Sequence, residues 1–133
     1  VLSAVTEVCQ ARIGRPLPIL VHGYDYPVPD GRGFLGGWWF LPGPWLEPGF
    51  REKGFEDLPE RIALVGQLID RFNTMVQGVA TLAELPHVTY VNLRGTLSVG
   101  ADYETWWANE LHPTRRGFEA VTGRFAAALA ALP

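Results

Sequence analysis

The sequence predicts a mixed α/β fold with parallel strands, and three observations carry that expectation. Two short apolar runs, Pro18-Ile19-Leu20-Val21-His22-Gly23-Tyr24 and Val88-Thr89-Tyr90-Val91-Asn92-Leu93, have the length and composition of strands. The first shows no alternation, the habit of a parallel strand buried on both faces. Between the runs lies a long stripe of apolar residues with steps of three and four, long enough for a crossover helix. Helical patterns also open and close the chain. The resulting order is helix, strand, loop, helix, strand, loop, helix.

The first helix is predicted from Leu2, Val5, Val8 or Cys9, and Ile13, with Gly14 as its stop. Asp25 to Pro48 is too rich in Gly and Pro for regular structure, yet it carries Phe34, Trp38, Trp39, Phe40 and Trp45. Asp57 is placed to cap the long helix and Pro59 falls in its first turn. Leu58, Ile62, Val65, Ile69, Phe72, Val76 and Val79 form its apolar stripe. Pro86 stops the chain before the second strand, and Gly95 to Trp107 reads as loop. Thr114 is placed to cap a last helix that turns Phe118, Val121, Phe125 and Leu129 inward. Two strands are a small platform for three helices, since about three strands are normally needed for independent stability. The chain therefore reads as one partial domain spanning residues 1–133.

With 133 residues, 47% of them hydrophobic, the chain has a globular composition and room for one domain. A net charge of −3 without a basic run argues against nucleic acid and anionic membrane surfaces as partners. No run approaches the roughly 18 apolar residues of a membrane span. Cys9 is the sole cysteine, so no internal disulfide forms, the compartment stays open, and a small core residue is the plain reading. No signal peptide is visible, and the start at Val1-Leu2 suggests a piece of something longer. His22, His87, His112 and Cys9 lack the short spacing of zinc ligands, so neither metal nor other cofactor is expected. His22 reads as a core histidine and His87 as a surface one. Gly31-Arg32-Gly33 lacks the following helix that a phosphate loop needs.

The chemistry concentrates in Trp106-Trp107-Ala108-Asn109-Glu110-Leu111-His112-Pro113-Thr114, followed by Gly117-Phe118. His112 falls between a strand and a helix, where functional groups of open α/β sheets gather. Pro113 and Thr114 give the imidazole a rigid mount, as a general base requires.

This block resembles the last sequence block of the SGNH (GDSL) hydrolases, in which an acidic residue lies three positions before the catalytic histidine. A glycine-aromatic pair there opens the final helix. The run from Ile19 to Pro27, with its Tyr-Asp-Tyr-Pro turn, is similar to the penultimate strand and turn of that family. The resemblance covers nearly the whole chain. It implies the C-terminal portion of a flavodoxin-like three-layer α/β/α sandwich and a serine ester hydrolase with His112 as its base. Three departures stand out. The orienting position is Asn109 where the family has aspartate, so it offers a hydrogen bond without charge; Glu110 and Asp102 are alternatives. The only serines, Ser3 and Ser98, do not follow Gly-Asp. No oxyanion-hole glycine or Gly-x-Asn-Asp block is present.

The implied substrate is an ester; the aromatic loop after the first strand offers Trp38 and Trp39 as a pocket wall or, alternatively, packs on the body as a plug, and Trp106 and Trp107 adjoin the histidine as candidate contacts. Asp25 is a remote alternative as acidic partner. The implied partner is the N-terminal half of the same fold, or a second copy. The chain alone is expected to be inactive. The competing expectation is a non-catalytic α/β module that self-associates or binds another chain.

Overall fold

The computed structural model describes residues 1–34 and 42–132. In chain order it contains α1 (Leu2–Ile13), β1 (Ile19–His22), α2 (Glu47–Glu52), α3 (Leu58–Ala80), β2 (Val88–Val91), a 3-10 turn (Tyr103–Thr105) and α4 (Arg115–Ala130). Among the described residues β1 and β2 form a two-stranded parallel sheet, with Ile19 opposite Val88 and His22 opposite Val91. The helix α3 crosses between them and packs on both strands, while α4 packs on β2. The mixed α/β class with parallel strands is therefore present.

Local sequence explains the boundaries. Gly14 closes α1 in the left-handed region (φ 74°), and its N–H bonds the Gln10 carbonyl. The Asp57 backbone is extended at the start of α3, but its side chain makes no capping bond; Pro59 supplies the first-turn signal. Asn92 ends β2 by accepting the Arg94 N–H at 3.1 Å. Thr114 caps α4 as its sequence predicts, accepting the Gly117 N–H at 3.2 Å.

Burial corrects several expectations. The strand β1 is not buried on both faces: none of its residues is fully buried and His22 is exposed. No residue of α1 is buried, and Cys9 is only half-buried rather than a core residue. In the α3 stripe Phe72 faces out, and Asn73 takes the inward position at 0% exposure. On α4, Phe118 and Leu129 are exposed instead of turned inward. The tightest core cluster is Val28, Leu97 and Trp107, with Leu58, Ile62 and Val121 packed against it. It lies among the loops that follow the strands, and Leu97 and Trp107 share a cavity lining with His112.

Candidate functional site

Residues 106–114 fold into a tight turn that presents His112. Its stem is an antiparallel bridge between Trp107 and Pro113. The Ala108 N–H donates to the His112 carbonyl and the Thr114 N–H to the Trp106 carbonyl, each at 2.8 Å. Gly117 lets the first turn of α4 press on this stem, since a Cβ there would sit 2.4 Å from the Trp106 carbonyl oxygen. The glycine of the sequence block is thus a packing requirement.

Inside the turn, Asn109 is 3% exposed and makes three contacts through one oxygen, two of them to the histidine. Its Oδ1 accepts the Leu111 N–H at 3.0 Å and the His112 N–H at 2.9 Å, and lies 3.0 Å from His112 Nδ1. The two backbone donors require an oxygen at that position, so Nδ1 must carry the ring proton. In the neutral ring the lone pair then sits on Nε2, and His112 is exposed. A general base has this form.

Glu110 and Asp102 do not orient His112. Glu110 is completely buried, and four backbone N–H groups saturate its carboxylate. Oε1 accepts from Gly31 (3.0 Å) and Glu47 (2.9 Å), Oε2 from Trp45 (2.6 Å) and Leu46 (2.7 Å). It ties the far end of the aromatic loop and the start of α2 to the histidine turn. The consequence shows at Trp45, whose ring centroid lies 5.5 Å from that of His112 at 66°. Asp102 instead accepts from the Ser98 hydroxyl and from Trp106 Nε1 (3.0 Å). These two bonds hold its carboxyl below the usual range. Ser98 therefore aims its proton at Asp102.

Asp25 is a second buried carboxylate clamped by backbone. Its oxygens accept from the N–H groups of Tyr26 (2.9 Å), Gly95 (2.7 Å), Thr96 (2.9 Å) and Leu97 (2.7 Å). It fixes the loop after β2 and has no role as partner of His112. Next to it, the Tyr24 hydroxyl donates to the Leu111 carbonyl. Burial pushes its phenol up, and the Asp25 charge adds to this.

The four tryptophans expected at the substrate separate. Trp38 and Trp39 lie outside the described residues. The Trp106 indole bonds Asp102 and the Arg116 guanidinium covers its ring at 4.3 Å, and Trp106 is not among the residues that line the cavity beside His112. Trp107, 1% exposed, forms the floor of that cavity. The cavity has a volume of about 750 Å³, and its walls are Leu93 and Leu97 from the loop after β2 and Phe118, Val121 and Phe125 from α4. His22 lines it too, which corrects its reading as a core residue. Its Nδ1 lies 2.7 Å from the Gly23 carbonyl, and its ring meets Phe125 edge-on at 5.2 Å. His87, half-buried, contacts the Thr6 hydroxyl at 2.7 Å far along the chain from this site.

Sequence reasoning missed the Glu110 clamp and the placement of Trp45 against the histidine. A glutamate inside the histidine block was the available signal, but its partners are backbone amides some 63–79 positions away. Among the described residues no group of three or more His, Cys, Asp or Glu side chains is placed to hold a metal ion. No helix there is long and apolar enough to cross a membrane. No family model, curated protein or solved structure matches the chain.

Proposed function

We propose that this chain is the histidine-bearing C-terminal part of a serine ester hydrolase of SGNH type, with His112 as general base and Asn109 as its positioning residue. The observation that carries the reading is the Asn109 Oδ1 to His112 Nδ1 bond of 3.0 Å, which leaves Nε2 free and exposed. In the complete site a serine hydroxyl would pass its proton to Nε2 as its oxygen attacks the ester carbonyl. The imidazolium would return the proton to the departing alcohol. Asn109 holds the tautomer but lends no negative charge, so less of the imidazolium is stabilised than an aspartate would stabilise. The finer architecture belongs to the same proposal: a three-layer α/β/α sandwich in which an N-terminal half supplies further strands, the serine and the oxyanion donors.

The test is ester turnover by the protein expressed from its complete reading frame, whatever flanks these 133 residues. His112→Ala is expected to lower kcat/KM by about 10³-fold or more. Asn109→Asp is expected to raise it. Turnover that ignores His112, or a complete protein with no esterase activity, overturns the reading.

A second reading rests on a separate observation. Val5, Val8 and Ile13 on α1, and Phe118 and Leu129 on α4, are all exposed. A non-catalytic module that associates through these faces would leave them so before binding. Association that persists in a protein without esterase activity favours it.

A further inference from the structure

We infer that His112 Nε2 is itself an acyl acceptor, taking the acyl group from activated donors such as aryl esters and thioesters whose apolar chain occupies the adjoining cavity. The inference rests on the reading of His112 as an ester-facing imidazole, and it needs no serine.

The hydroxyl and carboxylate groups among the described lining residues are already committed. Of the cavity's described lining residues two carry hydroxyls, Tyr24 and Thr122, and both donate to backbone carbonyls, of Leu111 and Phe118. Asp25, also in the lining, is saturated by its four amide donors. Residues 35–41 contribute neither hydroxyl nor thiol, being Leu35-Gly36-Gly37-Trp38-Trp39-Phe40-Leu41. What remains is imidazole nitrogen. Neutral Nε2 of His112 has a lone pair, its ring is held by Asn109 on one side, and the Trp45 ring stands against it.

The cavity selects the kind of molecule. At about 750 Å³ it falls within the 300–1,000 Å³ typical of small-molecule sites. Leu93, Leu97, Phe118, Val121 and Phe125 offer an apolar bed, and among the described lining residues the polar side-chain groups not taken up by protein partners are the Nε2 atoms of the two histidines and the indole Nε1 of Trp107. An occupant with an apolar body and one electrophilic head fits this arrangement. An unbranched acyl chain attached to a reactive carbonyl is such a molecule.

The step balances without a co-reactant other than water. Nε2 attacks the carbonyl carbon, an N–C bond forms, and the C–O or C–S bond breaks as the phenolate or thiolate departs. Nδ1 keeps its proton on Asn109, so the product is an acyl-imidazolium. Water then attacks the same carbon, the carboxylic acid leaves, and the second proton of water remains on Nε2 until it is lost to solvent. Alkyl esters, whose alkoxide leaves poorly, are not turned over by this route.

The experiment follows nitrophenolate release from 4-nitrophenyl acetate and 4-nitrophenyl octanoate by the 133-residue chain, with N-acetylhistidinamide at equal concentration as reference. Acid-quenched samples are mapped by mass spectrometry for the acylated residue. Release is expected to saturate with ester, to exceed the reference by about tenfold or more for the octanoyl ester, and to favour octanoyl over acetyl. It should fall to the level of Cys9 and surface groups in both His112→Ala and His112→Gln, and persist in Cys9→Ser. Acyl label on Ser98, Cys9 or His22, or rates equal to the reference, overturns the inference. That failure leaves the general-base reading standing, because alkyl-ester turnover by the complete protein tests it independently.

Discussion

Asn109 and Glu110 are adjacent in sequence and both buried, yet they do different work. Asn109 spends its oxygen on the histidine turn, whereas Glu110 spends both of its oxygens on residues 31 and 45–47. A buried carboxylate is tolerable because four N–H donors replace its water. Glu110→Gln would turn an amide N–H₂ toward donors that need an acceptor. The expected cost is about 2–4 kcal/mol of folding stability by urea denaturation, with Trp45 released from His112. Unchanged stability would show that the four bonds do not hold this loop. The histidine, its orienting residue at minus three and the capping threonine were legible in the sequence, because all act over three residues or fewer. The Glu110 clamp was not, because nothing local marks amides that arrive from another part of the chain.

At the level of elements, the joint between α3 and the sheet depends on a pair that apolar periodicity conceals. Asn73 Nδ2 donates to the carbonyls of Tyr24 (2.9 Å) and Ile69 (2.8 Å), and its Oδ1 accepts from the Tyr90 hydroxyl. One side chain thus links the helix to the ends of both strands. Gly23 makes room for it, since a Cβ there would lie 2.0 Å from Asn73 Oδ1. Val65, Ile69 and Asn73 recur at steps of four, so the inward line of α3 was readable. The polar residue on that line, with Phe72 beside it facing solvent, reverses what apolarity alone predicts. Gly23→Ala is expected to cost about 1–3 kcal/mol. In Asn73→Ala background the same change should cost much less, and additive losses would dissociate the two residues. The strands and all three long helices were legible from period and stop signals. Burial was not, because it depends on what each face meets.

For the whole molecule, accessible surface is the informative quantity. The chain exposes 8450 Å², against about 6,900 Å² expected of a compact monomer of 14.7 kDa. The difference exceeds the roughly 800 Å² that each partner buries in a standard interface. Exposed large apolar residues lie on α1, α3 and α4. Sedimentation equilibrium is therefore expected to give a dimer or larger species, or a complex with a completing half. A stable monomer with a cooperative unfolding transition would contradict this. The claim on which the functional account turns is narrower: the protonation of one imidazole. Nitrogen-15 NMR of histidine-labelled chain, above the pH at which the imidazoles are neutral, reads it directly. The account predicts the Nδ1–H tautomer at His112, with that preference lost in Asn109→Ala. An Nε2–H tautomer would mean that the nitrogen not bonded to Asn109 holds no lone pair, and His112 could then serve neither as base nor as acyl acceptor.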